Sequence, residues 1–521
     1  MSFKLTYASM FNPPPELHSR FEAALESVRQ QLGGRYGHAI GGRDTPEDAV
    51  VAKRSPIDNA WLLGEFPTAG AAEVDAAVDA AKVAFPGWRA TPPAERHRLL
   101  HRVADLIEER VYEIGAAVAL EVGKNRMEAL GEVAETAEFF RVYCQEFERN
   151  AGFDHPLPDD PLEGWACHNR SVMKPYGPWA VITPFNFPFA LMGGPVAAAL
   201  TAGNTVVAKC SPDTPWSGRL LADCLHDAGL PAGVFNLLCD PLDEAGPLLV
   251  EHPDVAGATF TGSHDVGMEI CDKLRRPPWP KPCIAEMGGK NPCIVTANAD
   301  LERATLGIFR SAYGLSGQKC SAVSRVYVAE GVADELVERL QSAIGAIKTG
   351  DPTLVENWMG PVANEGAYEN FKHYCRQLRD DATLLAGGDV LTWDGMERGY
   401  FCAPTLAEAP LDHPLWQVEM FTPVLMLARV PDKETAMRLA NDTPLGLTAG
   451  FYGNAEETDW FFDNIEAGVT YANRPQGATT GAWPGYQPFG GWKGSGSTGK
   501  GIASFYYLAL YLREQSQTRV D

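Results

Sequence analysis

The chain has 521 residues, 45% of them apolar and 21% charged, and a formal net charge of −23. One hydrophobic core does not extend over that length, so two or three globular domains are expected. The acidic balance argues against a nucleic-acid or anionic-membrane surface, because both need clustered lysine and arginine.

Met1 to Arg20 holds Pro13, Pro14 and Pro15 and no apolar core, so no signal peptide is expected. Apolar residues at 3- and 4-residue spacing predict helices over 72–84, 94–119 and 125–148. Segment 152–172, with Pro156, Pro158 and Pro161, is rich in turn residues and marks a boundary or an excursion. The uncharged stretch from Pro175 to Ala208 is long enough to span a membrane, but Pro178, Pro184, Pro188 and Pro195 break it. It reads as strand, loop, helix and strand in a protein core.

From residue 177 short apolar strands alternate with helices. Strands are predicted at 179–183, 205–209, 234–238 and 257–261, with helices at 190–202, 215–228 and 243–251. That alternation implies right-handed crossovers and a parallel sheet of dinucleotide-binding type. A second alternating series follows: strand 292–296, helix 301–314, strand 324–329 and helix 332–348. It predicts a second α/β domain beginning close to Glu286. Gly494 to Gly499 fits G-x-G-x-x-G, yet no strand–turn–helix unit follows, so it reads as a flexible loop before a strand-like run from Phe505 to Leu512.

The eleven cysteines are scattered with no Cys-x-x-Cys, so no zinc or iron–sulfur site is expected, and their number suits a reducing cytoplasm. One of them, Cys320 in Gly317-Gln318-Lys319-Cys320-Ser321, stands among small and polar residues, the setting a nucleophilic thiol needs. Glu286 lies 34 residues upstream, followed by Met287-Gly288-Gly289. A carboxylate can serve as base or activate water. Taken alone, Cys320 reads more readily as a small buried hydrophobe, as free cysteines usually are.

Several motifs together resemble the aldehyde dehydrogenase superfamily over roughly residues 30 to 515. They are Thr183-Pro184-Phe185-Asn186-Phe187-Pro188, Lys209, Phe260-Thr261-Gly262-Ser263 with Val266, Glu286-Met287-Gly288-Gly289-Lys290, the Cys320 segment, Glu419-Met420-Phe421 and Pro488-Phe489-Gly490-Gly491. The resemblance implies a Rossmann-type parallel-sheet cofactor domain (1–151 and 173–285), an α/β catalytic domain (286–480) and β oligomerisation segments (152–172 and 500–521). It implies Cys320 as nucleophile, Asn186 as oxyanion donor and Glu286 as hydrolytic base. For the dinucleotide it implies Ile182, Thr183, Pro184, Phe185, Lys209, Gly262, Ser263, Val266, Gly288, Glu419 and Phe421. No metal is implied, and a homo-oligomer is expected.

Two departures bear on the cofactor. Many relatives carry glutamate three residues after the lysine, where this chain has Pro212, and a glycine where it has Leu242. Without a carboxylate to repel a 2′-phosphate, NAD is expected and NADP is not excluded.

Local strings such as Gly317 to Arg325 and Ala478 to Ala482 resemble the branch that oxidises L-glutamate γ-semialdehyde. Under that resemblance Ser321, Gly481 and Ala482 hold the substrate carboxylate, and Phe187 and Phe489 wall its stem. Met287, Phe185 and the bulky Trp483-Pro484-Gly485-Tyr486 depart from that branch. A broad-range enzyme for aliphatic or aromatic aldehydes is the alternative, and a non-catalytic protein of the same fold is a third.

Overall fold

The computed structural model describes residues 4–6, 9–10, 12–475 and 483–521. Two seven-stranded sheets organise the chain. The first runs in the order Cys283–Glu286, Gly257–Thr261, Pro178–Ile182, Thr205–Lys209, Phe235–Leu238, His38–Ile40, Arg43–Thr45. Its first five strands are parallel and the last two antiparallel. Pro178–Ile182 and Thr205–Lys209 are buried at every position, as strands covered on both faces must be.

The helix Ala190–Ala202 supplies much of that cover. It is apolar all round and wholly buried except at Leu191, which fits a helix inside a core rather than on a surface. It sits hard against the helix Arg126–Arg149: a Cβ on Gly193 would lie 2.3 Å from the Thr136 side chain. The stretch predicted as one helix at 94–119 is two, Pro93–Glu109 and Val111–Val122, because Arg110 leaves helical geometry (φ −102°, ψ 11°). An N-terminal helix Pro15–Arg29 and a small sheet of Gly34–Arg35, Leu62–Pro67 and Val50–Arg54 precede this region, and the sequence pattern did not announce them.

The second sheet runs Thr383–Ala386, Thr405–Glu408, Val424–Val430, Val323–Ala329, Asn291–Val295, Thr448–Tyr452, Val469–Ala472. Glu286 is the last residue of a strand in the first sheet, and Asn291 is the first residue of a strand in the second. Met287 to Lys290 therefore form the bridge between the sheets.

The expected oligomerisation segments pair with each other within the chain. Cys167–Pro175 lies between Asp154–Leu157 and Leu512–Val520, antiparallel to both. The strand-like run at 505–512 is corrected too: Leu508–Tyr511 is a 3-10 turn and the strand begins at Leu512. Tyr507 and Tyr511 are fully buried and hydrogen-bond each other at 3.1 Å across the turn, so the run is apolar without being a strand. Among the described residues no helix is long and apolar enough to cross a membrane.

Candidate active site

A cleft of about 560 Å³ opens at the carboxyl ends of the first sheet's strands and runs to the bridge between the sheets. Ligands of open parallel sheets bind at such strand ends. Cys320, Glu286 and Asn186 all line it, although they come from a loop, a strand end and a turn far apart in sequence.

Cys320 follows a tightly shaped backbone. Leu315, Ser316 and Gly317 are consecutive left-handed residues, with φ of 50°, 53° and 71°. Two of them are not glycine, and such conformations cost of order 1–3 kcal/mol each unless packing imposes them. Packing does so here. Gln318 accepts the Ala363 N–H at 2.8 Å and donates to the Leu315 carbonyl at 3.1 Å, and a Cβ on Gly317 would meet the Thr422 carbonyl at 2.3 Å. On the far side Asn291 Nδ2 donates to the carbonyls of Cys320 (2.7 Å) and Ala322 (2.9 Å). Gly289 packs against the same Cys320 carbonyl.

The electrostatics of the cleft favour neutral acids. Burial, then the carboxylates of Glu419 and Glu286, pushes the Cys320 thiol up to about 12; the N–H groups of Cys320 and Ser321 act the other way. Burial also pushes Glu286 well above the usual carboxylate range, opposed by a hydrogen bond from the Gly491 N–H. Its Oε2 has no hydrogen-bond partner among the described residues. Such an oxygen is available to a water molecule.

Asn186 is buried, and its Nδ2 donates to the Gln318 carbonyl at 2.9 Å. An amide nitrogen carries two hydrogens, so one remains to donate. The Asn186 carbonyl accepts from Lys124 Nζ at 2.7 Å, and Lys124 pairs with Glu132 at 2.5 Å, both side chains fully buried. Glu132 in turn accepts from the N–H groups of Phe189 (2.8 Å) and Ala190 (3.2 Å). Lys124 and Glu132 thus fix the turn that carries Asn186, and nothing in their sequence context announced it.

The eleven residues expected at the dinucleotide all line the same cleft. Ile182 ends its strand, and Thr183, Pro184 and Phe185 continue into the turn. Lys209 ends the next strand with its amine buried. Gly262 and Ser263 precede the helix His264–Leu274, where Ser263 Oγ accepts from Val266 N at 3.4 Å. Glu419 Oε1 accepts from Gly289 N at 2.8 Å, and burial pushes its carboxyl up to about 7. A Cβ on Gly288 would lie 2.0 Å from Glu419 Oε2, so only glycine leaves room for that carboxylate. Phe421, at φ 52°, meets the Phe185 ring edge-on at 5.8 Å.

The residues expected at the substrate are placed differently. Phe187, Ser321 and Phe489 are not part of this cleft's wall. Phe187 carries Lys124 Nζ over its ring at 3.9 Å, the Ser321 carbonyl accepts from Thr448 Oγ1 at 3.2 Å, and Phe489 bridges Ile502. Gly481 and Ala482 lie outside the described residues.

The Gly494–Gly499 segment is more than a loose loop. The Ser495 backbone carbonyl accepts from the Met287 N–H (2.9 Å), and Ser497 exchanges backbone and side-chain bonds with Ala285 (3.0 and 2.8 Å). Ser495 Oγ donates to the Gly288 carbonyl at 2.6 Å. The segment braces both sides of Glu286. The sequence also holds one His-x-x-x-His pair, His97 and His101, but His97 Nδ1 faces Glu148 at 3.1 Å. Among the described residues no group of three or more His, Cys, Asp or Glu gathers to hold a metal.

Comparison with known proteins agrees with this geometry. Residues 44–516 match the model of the aldehyde dehydrogenase family. The chain is 35% identical to 1-pyrroline-5-carboxylate dehydrogenase of Geobacillus thermodenitrificans (strain NG80-2), over 96% of this chain and 95% of that protein. It is also 35% identical to the enzyme of that name from Bacillus cereus (strain B4264), over 95% of each. Its fold superposes on the crystal structure of 1-pyrroline-5-carboxylate dehydrogenase from Thermus with bound NAD at a TM-score of 0.92, with 34% identity, 98% of this chain and 97% of that chain. The chain belongs to the aldehyde dehydrogenase family.

Proposed function

We propose that this chain oxidises L-glutamate γ-semialdehyde to L-glutamate, through a thioester on Cys320 and with NAD as hydride acceptor. The observation that carries the reading is that Cys320, Glu286 and Asn186 line one cleft together with Lys209. The cleft fits a dinucleotide: it has a buried amine, a carboxylate beside a glycine that leaves it room, and a volume suited to an extended ligand.

Bound NAD⁺ supplies the hydride acceptor. The Cys320 thiolate adds to the aldehyde carbon, and the free N–H of Asn186 with the Cys320 N–H stabilises the oxygen that becomes negative. Loss of hydride from that carbon leaves the thioester. Glu286, which burial holds largely protonated, acts after giving its proton to water: as carboxylate it takes a proton from the water that attacks the thioester, releasing the carboxylic acid and the thiolate. Burial pushes the Cys320 thiol up to about 12, so its proton must pass to water before the thiolate attacks.

The same reading assigns the first sheet's region (1–151 and 173–285) to the cofactor, 286–480 to catalysis, and 152–172 with 500–521 to assembly. Asp154–Leu157 and Leu512–Val520 are the free edges of a three-stranded sheet, which a second copy would cover, so at least a dimer forms. Eleven free cysteines support a cytoplasmic setting.

One observation favours a second reading, a broad-range enzyme for apolar aldehydes. Trp483 is buried with Met10, and Phe187 and Met127 pack against them, which gives one side of Phe187 apolar neighbours although Lys124 lies over its ring. Steady-state rates with glutamate semialdehyde, hexanal and benzaldehyde decide between the two. A kcat/KM for the semialdehyde well above the others supports the proposal, and far faster turnover of hexanal or benzaldehyde sinks it.

A further inference from the structure

The sequence has Pro212 where a carboxylate is expected to exclude a 2′-phosphate, which leaves the choice between NAD and NADP open. The structure supplies a carboxylate from elsewhere. Asp243 lies in the loop after the strand Phe235–Leu238, and its carboxylate is paired with Lys209 Nζ at the cleft wall. We propose that Asp243 is the residue that makes this chain select NAD over NADP, an assignment that rests on the dinucleotide reading of the cleft.

Several features of the site point this way. Asp243 adopts φ 60°, a left-handed conformation that aspartate tolerates better than most residues. Its side chain is 64% exposed while that of Lys209 is 3% exposed, so the carboxylate stands on the cleft side of the pair. Lys209 is already offset by a second acid: the fully buried Asp240 lies 3.9 Å from Nζ, with its Oδ1 unpartnered. The remaining charges on this wall are Glu269 and Lys273, which bond each other at 3.0 Å. Lys273 also pairs with Glu251 at 3.1 Å, so four carboxylates, two of them behind the cleft wall, surround two amines and leave this end acidic; among the described residues no arginine lines it.

Two ribose hydroxyls can donate to Asp243 and accept from Lys209. A 2′-phosphate brings nearly two negative charges to the same place and finds the lysine already neutralised. The loop after Phe235–Leu238 thus does the work that Pro212 cannot.

The test is direct binding, measured by calorimetry with 5′-AMP, 2′,5′-ADP, NAD⁺ and NADP⁺ on the full-length wild type, Asp243→Asn and Asp243→Ala. Asparagine keeps the size, the hydrogen-bonding capacity and the tolerance of positive φ. The wild type should bind 5′-AMP and NAD⁺ the more tightly. In Asp243→Asn the Kd ratio of 2′,5′-ADP to 5′-AMP should fall roughly 10- to 100-fold, the scale of removing one like charge at contact range. That gain should shrink at high salt. A ratio unchanged in both variants while the wild type still prefers NAD⁺ overturns the role of Asp243 and leaves the dinucleotide reading intact. A wild type that binds NADP⁺ as tightly as NAD⁺ also overturns it. A wild type that binds none of the four overturns the dinucleotide reading with it.

Discussion

Removing Glu132 should both unfold the protein more easily and slow it, because one carboxylate serves three partners. Its Oε2 holds the fully buried Lys124 at 2.5 Å, and its Oε1 takes the N–H groups of Phe189 and Ala190. Breaking a buried ion pair from one side costs about 3–5 kcal/mol, since the other charge is left without its counterion. Two orphaned N–H groups add about 1–3 kcal/mol each at most, and not additively. Glu132→Ala should therefore cost about 4 kcal/mol or more. Lys124→Met leaves both N–H bonds in place and should cost less, about 3 kcal/mol, the low end of that range. It also frees the Asn186 carbonyl, so kcat should fall about 10-fold with KM for NAD⁺ little changed. Guanidinium unfolding followed by tryptophan fluorescence gives the stabilities, and initial rates give the second readout. A Glu132→Ala cost below about 1 kcal/mol, or a Lys124→Met variant as unstable as Glu132→Ala, would refute the reasoning.

Further outcomes follow from the same geometry. Gly288→Ala puts a methyl against the Glu419 carboxylate and should weaken NAD⁺ binding about 10-fold or more by calorimetry, with the melting temperature nearly unchanged. Glu419 titrates near 7 because burial disfavours its charge, so its ionised fraction rises with pH. If it accepts the ribose hydroxyls, NAD⁺ affinity should rise across about pH 6 to 8, and Glu419→Gln should flatten that rise. Ser495→Ala strips the buried Gly288 carbonyl and Gly446 N–H of their partner and should lower stability by about 1–3 kcal/mol in the same unfolding assay. Light scattering should find a species of at least twice 56.5 kDa; a monomer alone contradicts the edge-pairing argument.

The strands of the first sheet were legible because continuous burial leaves continuous apolar runs, as at Thr205–Lys209. The residues that line the cleft, Cys320, Glu286, Asn186 and those expected at the dinucleotide, were legible because each stands in a short motif whose order along the chain is itself informative. Three kinds of feature were not legible. Asp243 reaches Lys209 across 34 residues through a left-handed turn, a contact that neither residue's neighbours encode. Lys124, between two helices, and Glu132, on the second of them, look like ordinary surface charges, and only tertiary packing buries them. The glycine run at 494–499 carries no periodicity, so its bracing of Ala285, Met287 and Gly288 appears only when the chain returns to the first sheet. The terminal strand was misplaced for a related reason: the buried tyrosines 507 and 511 gave an apolar pattern, while the true strand Leu512–Val520 is exposed at nearly every position.

The central claim is that Cys320 carries the acyl group and that Glu286 is needed to remove it. Rapid mixing of Glu286→Gln with aldehyde and NAD⁺ tests both parts at once, followed by mass spectrometry of the quenched protein. The account predicts a burst of NADH near one equivalent per active site, very slow turnover afterwards, and an acyl mass on the peptide bearing Cys320. Steady turnover at the wild-type rate with no adduct on Cys320 would contradict it.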